Sequence, residues 1–185
     1  MEHIRLGSRA LRVLAHPLRV RLLSQLRLHG PATATVLARR LDTNTGATSY
    51  HLRKLAEVEL VVETGEGTGK QRFWAAAQDA HSWREVDYED PDARAAASWL
   101  NQEYWQQFVE RAVRWQQVRE SWPVPWQEAA GMSDVILDLD AAQLTELMAE
   151  LYEVALRYRD RAPVEGSRQV LLNLFAMPAE PRSLP

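Results

Sequence analysis

Between Pro17 and Leu55 the chain carries a leucine pattern that breaks twice, at Gly30-Pro31 and at Asp42-Thr43-Asn44-Thr45-Gly46. Proline cannot continue a helix, and Asp, Asn, Thr and Gly favour turns, so the breaks dictate short helices in place of one long one. Leu18, Leu22, Leu23 and Leu26 repeat with helical period behind Pro17, whose missing N–H costs nothing in a first turn. Thr33 or Thr35 can cap the next helix, with Val36, Leu37 and Leu41 turned inward. The third helix is Gly46–Leu55, GATSYHLRKL, with Leu52 and Leu55 inward. Ahead of all three, Arg9–Ala15 reads as a shorter helix with Leu11 and Leu14 on one face.

Two β-prone runs follow, Leu60–Thr64 and Gln71–Ala75, around a loop holding Gly65, Gly67 and Gly69, which together make a hairpin. The loop lacks the closing Gly-Lys-Ser/Thr of a phosphate cradle and leads into a strand. Gln78–Asp92 reads as an acidic linker or loose helix, and a long helix from Pro91 through Trp115 is broken at Trp122-Pro-Val-Pro-Trp126. Asp134–Leu139 alternates as a strand does, Asp140 caps a helix striped by Leu144, Leu147, Met148, Leu151, Val154, Ala155 and Tyr158, and Gln169–Ala176 reads as a final strand. The expected fold class is α+β and mainly helical: a winged helix-turn-helix domain over residues 1–77, then a long helix and a strand–helix–strand region over 78–185.

Charge divides at the same boundary. Residues 1–77 hold 12 Arg/Lys against 6 Asp/Glu, and residues 78–185 hold 10 against 19, so +6 and −9 sum to the net −3. A basic first half points to a polyanion as its partner, and the acidic second half should keep away from one. In a winged helix-turn-helix the second helix of the pair enters the major groove with its N-terminal residues foremost. The sequence of Gly46–Leu55 suits that use. Gly46 allows close approach, Thr45, Thr48 and Ser49 offer hydroxyls, Tyr50 adds a polar-tipped apolar face, and Arg53 and Lys54 follow one turn later to reach phosphates or a guanine. Lys70 and Arg72 on the hairpin would touch the neighbouring backbone, and Arg19, Arg39 and Arg40 add further cations.

Other chemistries find little support. There are no cysteines, which excludes disulfides and thiolate metal sites. His3, His16, His29, His51 and His81 include no two at metal-ligand spacing, so neither a metal nor another cofactor is expected. No nucleophile–base motif is present, so the chain is not read as an enzyme. No apolar run approaches membrane-spanning length and MEHIRLGSRA does not form a signal peptide, so a cytoplasmic location is expected.

Arg9-Ala-Leu-Arg-Val-Leu-Ala-His-Pro-Leu-Arg-Val-Arg-Leu-Leu and Gly46-Ala-Thr-Ser-Tyr-His-Leu-Arg-Lys-Leu together resemble the two ordered motifs of ArsR-type (ArsR/SmtB-like) bacterial transcriptional regulators, over about Ser8 to Ala76. The second carries the family's S-x-H-L-x-x-L core as Ser49, His51, Leu52 and Leu55. The resemblance implies a homodimeric repressor that reads a double-stranded DNA operator and leaves it when an effector binds. The chain departs from the family where many members have Ala-Gly-Leu-Val, since it has Val58-Glu59-Leu60-Val61 and so lacks a glycine where a helix commonly ends on one. It also lacks the family's cysteine metal-sensing sets.

Six of the seven tryptophans fall in the second half. Trp99, Trp105 and Trp115 suggest either a pocket for a small apolar effector or a core and dimer interface. The alternative for the whole chain is a winged-helix protein-interaction or oligomerisation module with a small-molecule-binding C-terminal region.

Overall fold

The computed structural model describes residues 3–66, 72–78 and 80–179. The chain divides into two compact units, Met1–Arg111 and Ala112–Pro185. The elements in order are β1 (His3–Arg5), α1 (Ser8–Leu14), α2 (Pro17–His29), β2 (Ala32–Thr33), α3 (Ala34–Arg40), α4 (Thr45–Ala56), β3 (Val61–Glu63), β4 (Phe73–Ala76), β5 (Ala80–Ser82), α5 (Pro91–Val118), α6 (Val124–Ala129) and α7 (Ala141–Arg159). The protein is mainly helical with few strands, an α+β winged helix in its first half.

Local chemistry accounts for the boundaries from α2 to the start of α4. Pro17 opens α2, and the His16 ring caps it by accepting the Leu18 N–H at 3.1 Å. Gly30 ends it at φ 73°, a left-handed conformation that glycine adopts freely. Thr33 caps α3 through its hydroxyl, which accepts the Val36 N–H at 3.3 Å. Asp42 follows α3 with φ 51°, a region where Asp and Asn are enriched. The turn ends sooner than its composition suggests: Thr45 and Gly46 already belong to α4, and Asn44 is its cap, accepting the Ala47 N–H at 2.8 Å.

One core holds the first unit together. Leu11 and Leu14 of α1, Val20, Leu22, Leu23 and Leu26 of α2, Leu37 of α3 and Leu52 and Leu55 of α4 are all buried. Each such side chain contributes about 1.5–3 kcal/mol relative to exposure. Val36 stands apart: it is exposed, and Ala38 takes the buried place beside Leu37. The hairpin pairs β3 with β4 in the register Val61↔Ala76, Val62↔Ala75 and Glu63↔Trp74, and Trp74 lies over the core with 5% exposure. β2 adds a third strand on the other side of β4, giving the order β2-β4-β3.

Residues after the hairpin depart from expectation. The stretch read as a linker or loose helix supplies β5, which pairs in parallel with β1 as His3↔Ala80, Ile4↔His81 and Arg5↔Ser82. A 3-10 turn, Glu85–Asp87, follows, and Tyr88 is buried with its hydroxyl donating to the Leu6 carbonyl at 2.7 Å. Asp87 and Asp90 form ion pairs with Arg5 and Arg12. Ala93, Ala97 and Leu100 of α5 complete the same core.

In the second unit Asp140 and Gln143 form a reciprocal capping box at the start of α7, with bonds of 2.8 and 3.0 Å. The strands expected over 134–139 and 169–176 do not form. Both runs are irregular, with Val135, Ile136, Leu137, Val170, Leu171 and Phe175 exposed. Alternation supplies faces, but a strand also needs a neighbour's N–H and C=O groups, and neither run is paired among the described residues. Of the α7 stripe, Leu151, Val154 and Tyr158 are exposed. No helix among the described residues is long and apolar enough to cross a membrane.

Candidate nucleic-acid interface

The inner face of α4 is set by Thr48, Leu52 and Leu55, all fully buried and spaced along one side of a helix. His51 packs against His16 of α2 and Ala56 against the core, and the outer side is made by other positions. Thr45, Gly46, Tyr50 and Arg53 are exposed, and Ser49 and Lys54 are half-buried. The sequence places no acidic residue in the first turn, so the positive end of the helix dipole is left uncancelled there. A helix pinned by three inward residues and open along its other side, preceded by α3 and a short turn, is the arrangement that enters a groove.

Thr48 requires a correction. It was expected to offer its hydroxyl to DNA, but it is buried at 0% exposure and its Oγ1 donates to the Asn44 carbonyl at 3.0 Å. The position falls one turn before Leu52, and the threonine methyl serves the core while the hydroxyl is satisfied by the helix's own backbone. Gly46 acquires a second role. A Cβ there would lie 3.3 Å from Asn44 Oδ1, so the glycine leaves room for the cap as well as for a ligand.

The basic side chains differ in availability. Lys54 Nζ lies 2.9 Å from Glu57 Oε1 and 5.9 Å over the Tyr50 ring. Arg72 Nη1 lies 2.8 Å from Glu63 Oε1 across the base of the hairpin. Both pairs are substantially exposed, so their net worth is small and a phosphate could exchange into them. Arg39, Arg40 and Arg53 are exposed. Lys70 lies outside the described residues. Asn44 was not singled out from the sequence; a cap residue three positions before the Ala47 N–H it binds was the available signal.

The three tryptophans of the suggested effector pocket make separate contacts. Trp99 packs on the core of the first unit, Trp105 lies 5.4 Å from the Phe108 ring, and Trp115 lies 5.7 Å from Trp122 within the second unit. The tight aromatic group of the first unit is instead His81, Trp83 and Tyr104. Tyr104 Oη is hydrogen-bonded to His81 Nε2 at 2.9 Å, and burial of the phenol pushes its pKa up to about 12. Among the described residues no group of three or more His, Asp or Glu side chains could hold a metal ion.

A family model described as a helix-turn-helix domain matches residues 14–64. That span runs from the end of α1 through β3 and contains all of α2, α3 and α4. A solved structure described as a possible transcriptional regulator for arsenical resistance is 28% identical, covering 57% of this chain and 94% of that one, with a TM-score of 0.34. No curated protein matches the chain. The helix-turn-helix match and the exposed face of α4 together support DNA-binding regulation.

Proposed function

We propose that the protein is a sequence-specific regulator of the ArsR type that binds double-stranded DNA as a homodimer and represses transcription. The observation that carries this reading is the two-sidedness of α4, whose Thr48, Leu52 and Leu55 are locked into the core while Thr45, Gly46, Ser49, Tyr50 and Arg53 face outward. In the proposed complex the first turn of α4 enters the major groove. Ser49 and Tyr50 contact base edges or sugar, and Arg53 takes a phosphate or a guanine. The hairpin, with Arg72 and Lys70, lies along the adjacent backbone. Two copies would place their α4 helices in successive major grooves, reading half-sites about one helical turn, or a multiple of it, apart.

The test is duplex selection from a random-sequence pool followed by titration at several salt concentrations. Affinity should fall steeply with salt, and Arg53→Ala should lower the magnitude of the log–log slope by about 1 if Arg53 holds a phosphate. If Arg53 reads guanine, the variant should instead cost about 1–3 kcal/mol at a single base position. Salt-independent association, or an Arg53→Ala variant that shifts the selected duplex normally, would sink the assignment and favour a protein-docking module. Sedimentation of the free and DNA-bound protein checks the dimer.

A further inference from the structure

The junction between the start of α2 and the middle of α4 holds a histidine pair that the proposed DNA contacts do not use. His16 and His51 face one another with ring centroids 4.4 Å apart and planes tilted by 40°. Tyr50 closes one side of His51, edge-on at 5.1 Å. His16 Nδ1 is the acceptor that caps α2. An imidazole that accepts at Nδ1 carries its proton on Nε2, so this cap exists only while the ring is neutral. His51 Nδ1 and Arg19 Nε are both shut away from solvent without a hydrogen-bond partner among the described residues.

The charge environment of the pair is positive. Arg19 of α2 acts on both rings, and His16 acts on His51. Elsewhere on the packed helices, Arg9 of α1 and Arg39 and Arg40 of α3 are exposed, and Arg12 of α1 is engaged by Asp90. On α4, Arg53 is exposed and Lys54 is held by Glu57. No carboxylate is among the groups that act on either imidazole. Burial first, then Arg19 and, for His51, the facing His16, holds both rings below the ordinary histidine value of 6.5.

We infer that His16 and His51 are positioning residues: the neutral pair seats α4 on α2 in the orientation that DNA requires, and protonating it weakens DNA binding. The inference rests on the DNA-binding reading above. A proton on His16 Nδ1 removes the acceptor that caps α2. A second proton, on His51, sets two imidazolium rings in contact beside Arg19. The repulsion is relieved by moving α4 away from α2, which shifts every outward residue of α4 together. The sign of the effect is the informative part. For an ordinary basic domain, protonating histidines adds positive charge and tightens binding to a polyanion.

The test uses the full chain and the tightest duplex recovered from a random-sequence pool at about pH 8, titrated at constant ionic strength down to about pH 5.5. The apparent Kd should rise about tenfold for the wild type. The His16→Asn/His51→Gln double variant keeps a capping acceptor and a polar edge without a titrating ring, and its profile should be flat or slope towards tighter binding in acid. A wild-type Kd that holds level or falls on acidification overturns the inference. Should the double variant not fold, His16→Asn alone and the wild-type α4 amide resonances decide the matter. The amides must shift in step with the two imidazoles, and shifts that track neither ring overturn the inference. Failure to recover any duplex at the starting pH refutes DNA binding itself, before the pH series begins.

Discussion

Replacing Glu59 with glycine should stabilise the first unit. Glu59 follows α4 with φ 57°, in the left-handed region where a β-carbon crowds the backbone. The conformation is imposed by the helix ending: the Leu60 N–H reaches back to the Leu55 carbonyl at 3.1 Å and the Glu59 N–H to Ala56 at 3.0 Å. Gln78 Nε2 also donates to the Glu59 carbonyl at 3.0 Å, and none of these three bonds needs the side chain. Holding a non-glycine residue there costs about 1–2 kcal/mol. Glycine gives back about 0.4–1 kcal/mol through the greater freedom of its unfolded chain. The midpoints of the two ranges leave a net gain of about 0.8 kcal/mol, or roughly 4 °C in Tm. Thermal unfolding followed by far-UV dichroism measures it, and amide exchange at Leu52 and Leu55 localises the change to the first unit. Glu59→Ala is the control, because it removes the exposed carboxylate while keeping the β-carbon. If Glu59→Gly is no more stable than Glu59→Ala, the reasoning from backbone strain fails.

Thr48→Ala should cost about 1–2 kcal/mol of stability through the lost methyl and the lost hydroxyl bond, while base preference is unchanged at a temperature where the variant is folded. Altered base preference with unchanged stability would return Thr48 to the interface. Tyr104, with its pKa raised to about 12 chiefly by burial against the opposing pull of Arg27 and Arg111, favours its neutral form in the folded state. Its contribution to stability is present below the unfolded value near 10 and is lost as pH rises towards 12. Tyrosinate absorbance should show a late-ionising component that loses one phenol in Tyr104→Phe and keeps the contribution of Tyr88, which burial also pushes up; an early, complete titration of all five tyrosines would contradict this.

The helices of the first half were legible because their boundaries are written locally. Pro17, Gly30 and Asn44 fix the ends by chemistry that acts within a few residues, and the leucines between them keep one face. The strained ending at Glu59 was legible too, as a missing glycine. Thr48 was misread because its hydroxyl drew attention away from its spacing to Leu52 and Leu55, which places it on the inner face. The pairing of β1 with β5 was beyond reach, since three-residue strands 77 positions apart carry no pattern long enough to recognise. The opposite error arose at 134–139, where the alternation was plain, and at 169–176, read as a final strand; among the described residues no neighbouring strand pairs with either segment. Arg72 shows the same limit at the interface. Its pairing with Glu63 depends on hairpin register, whereas the Lys54–Glu57 pair could be read from helical spacing alone.

The link between β1 and β5 also sets a timetable. His3–Arg5 is synthesised ahead of its partner, which lies 77 residues later, an interval of roughly 4–15 s at ordinary translation rates. During that time α1 to α4 and the hairpin can assemble from near neighbours, but Leu6 has neither the Ser82 carbonyl that binds its N–H nor the Tyr88 hydroxyl that binds its carbonyl. Ala93, Ala97 and Leu100 arrive later still. The nascent helix-turn-helix thus waits with one flank of its core uncovered, and the acidic segment carrying Asp87 and Asp90 and then α5 close it, like a seal on a vessel already filled.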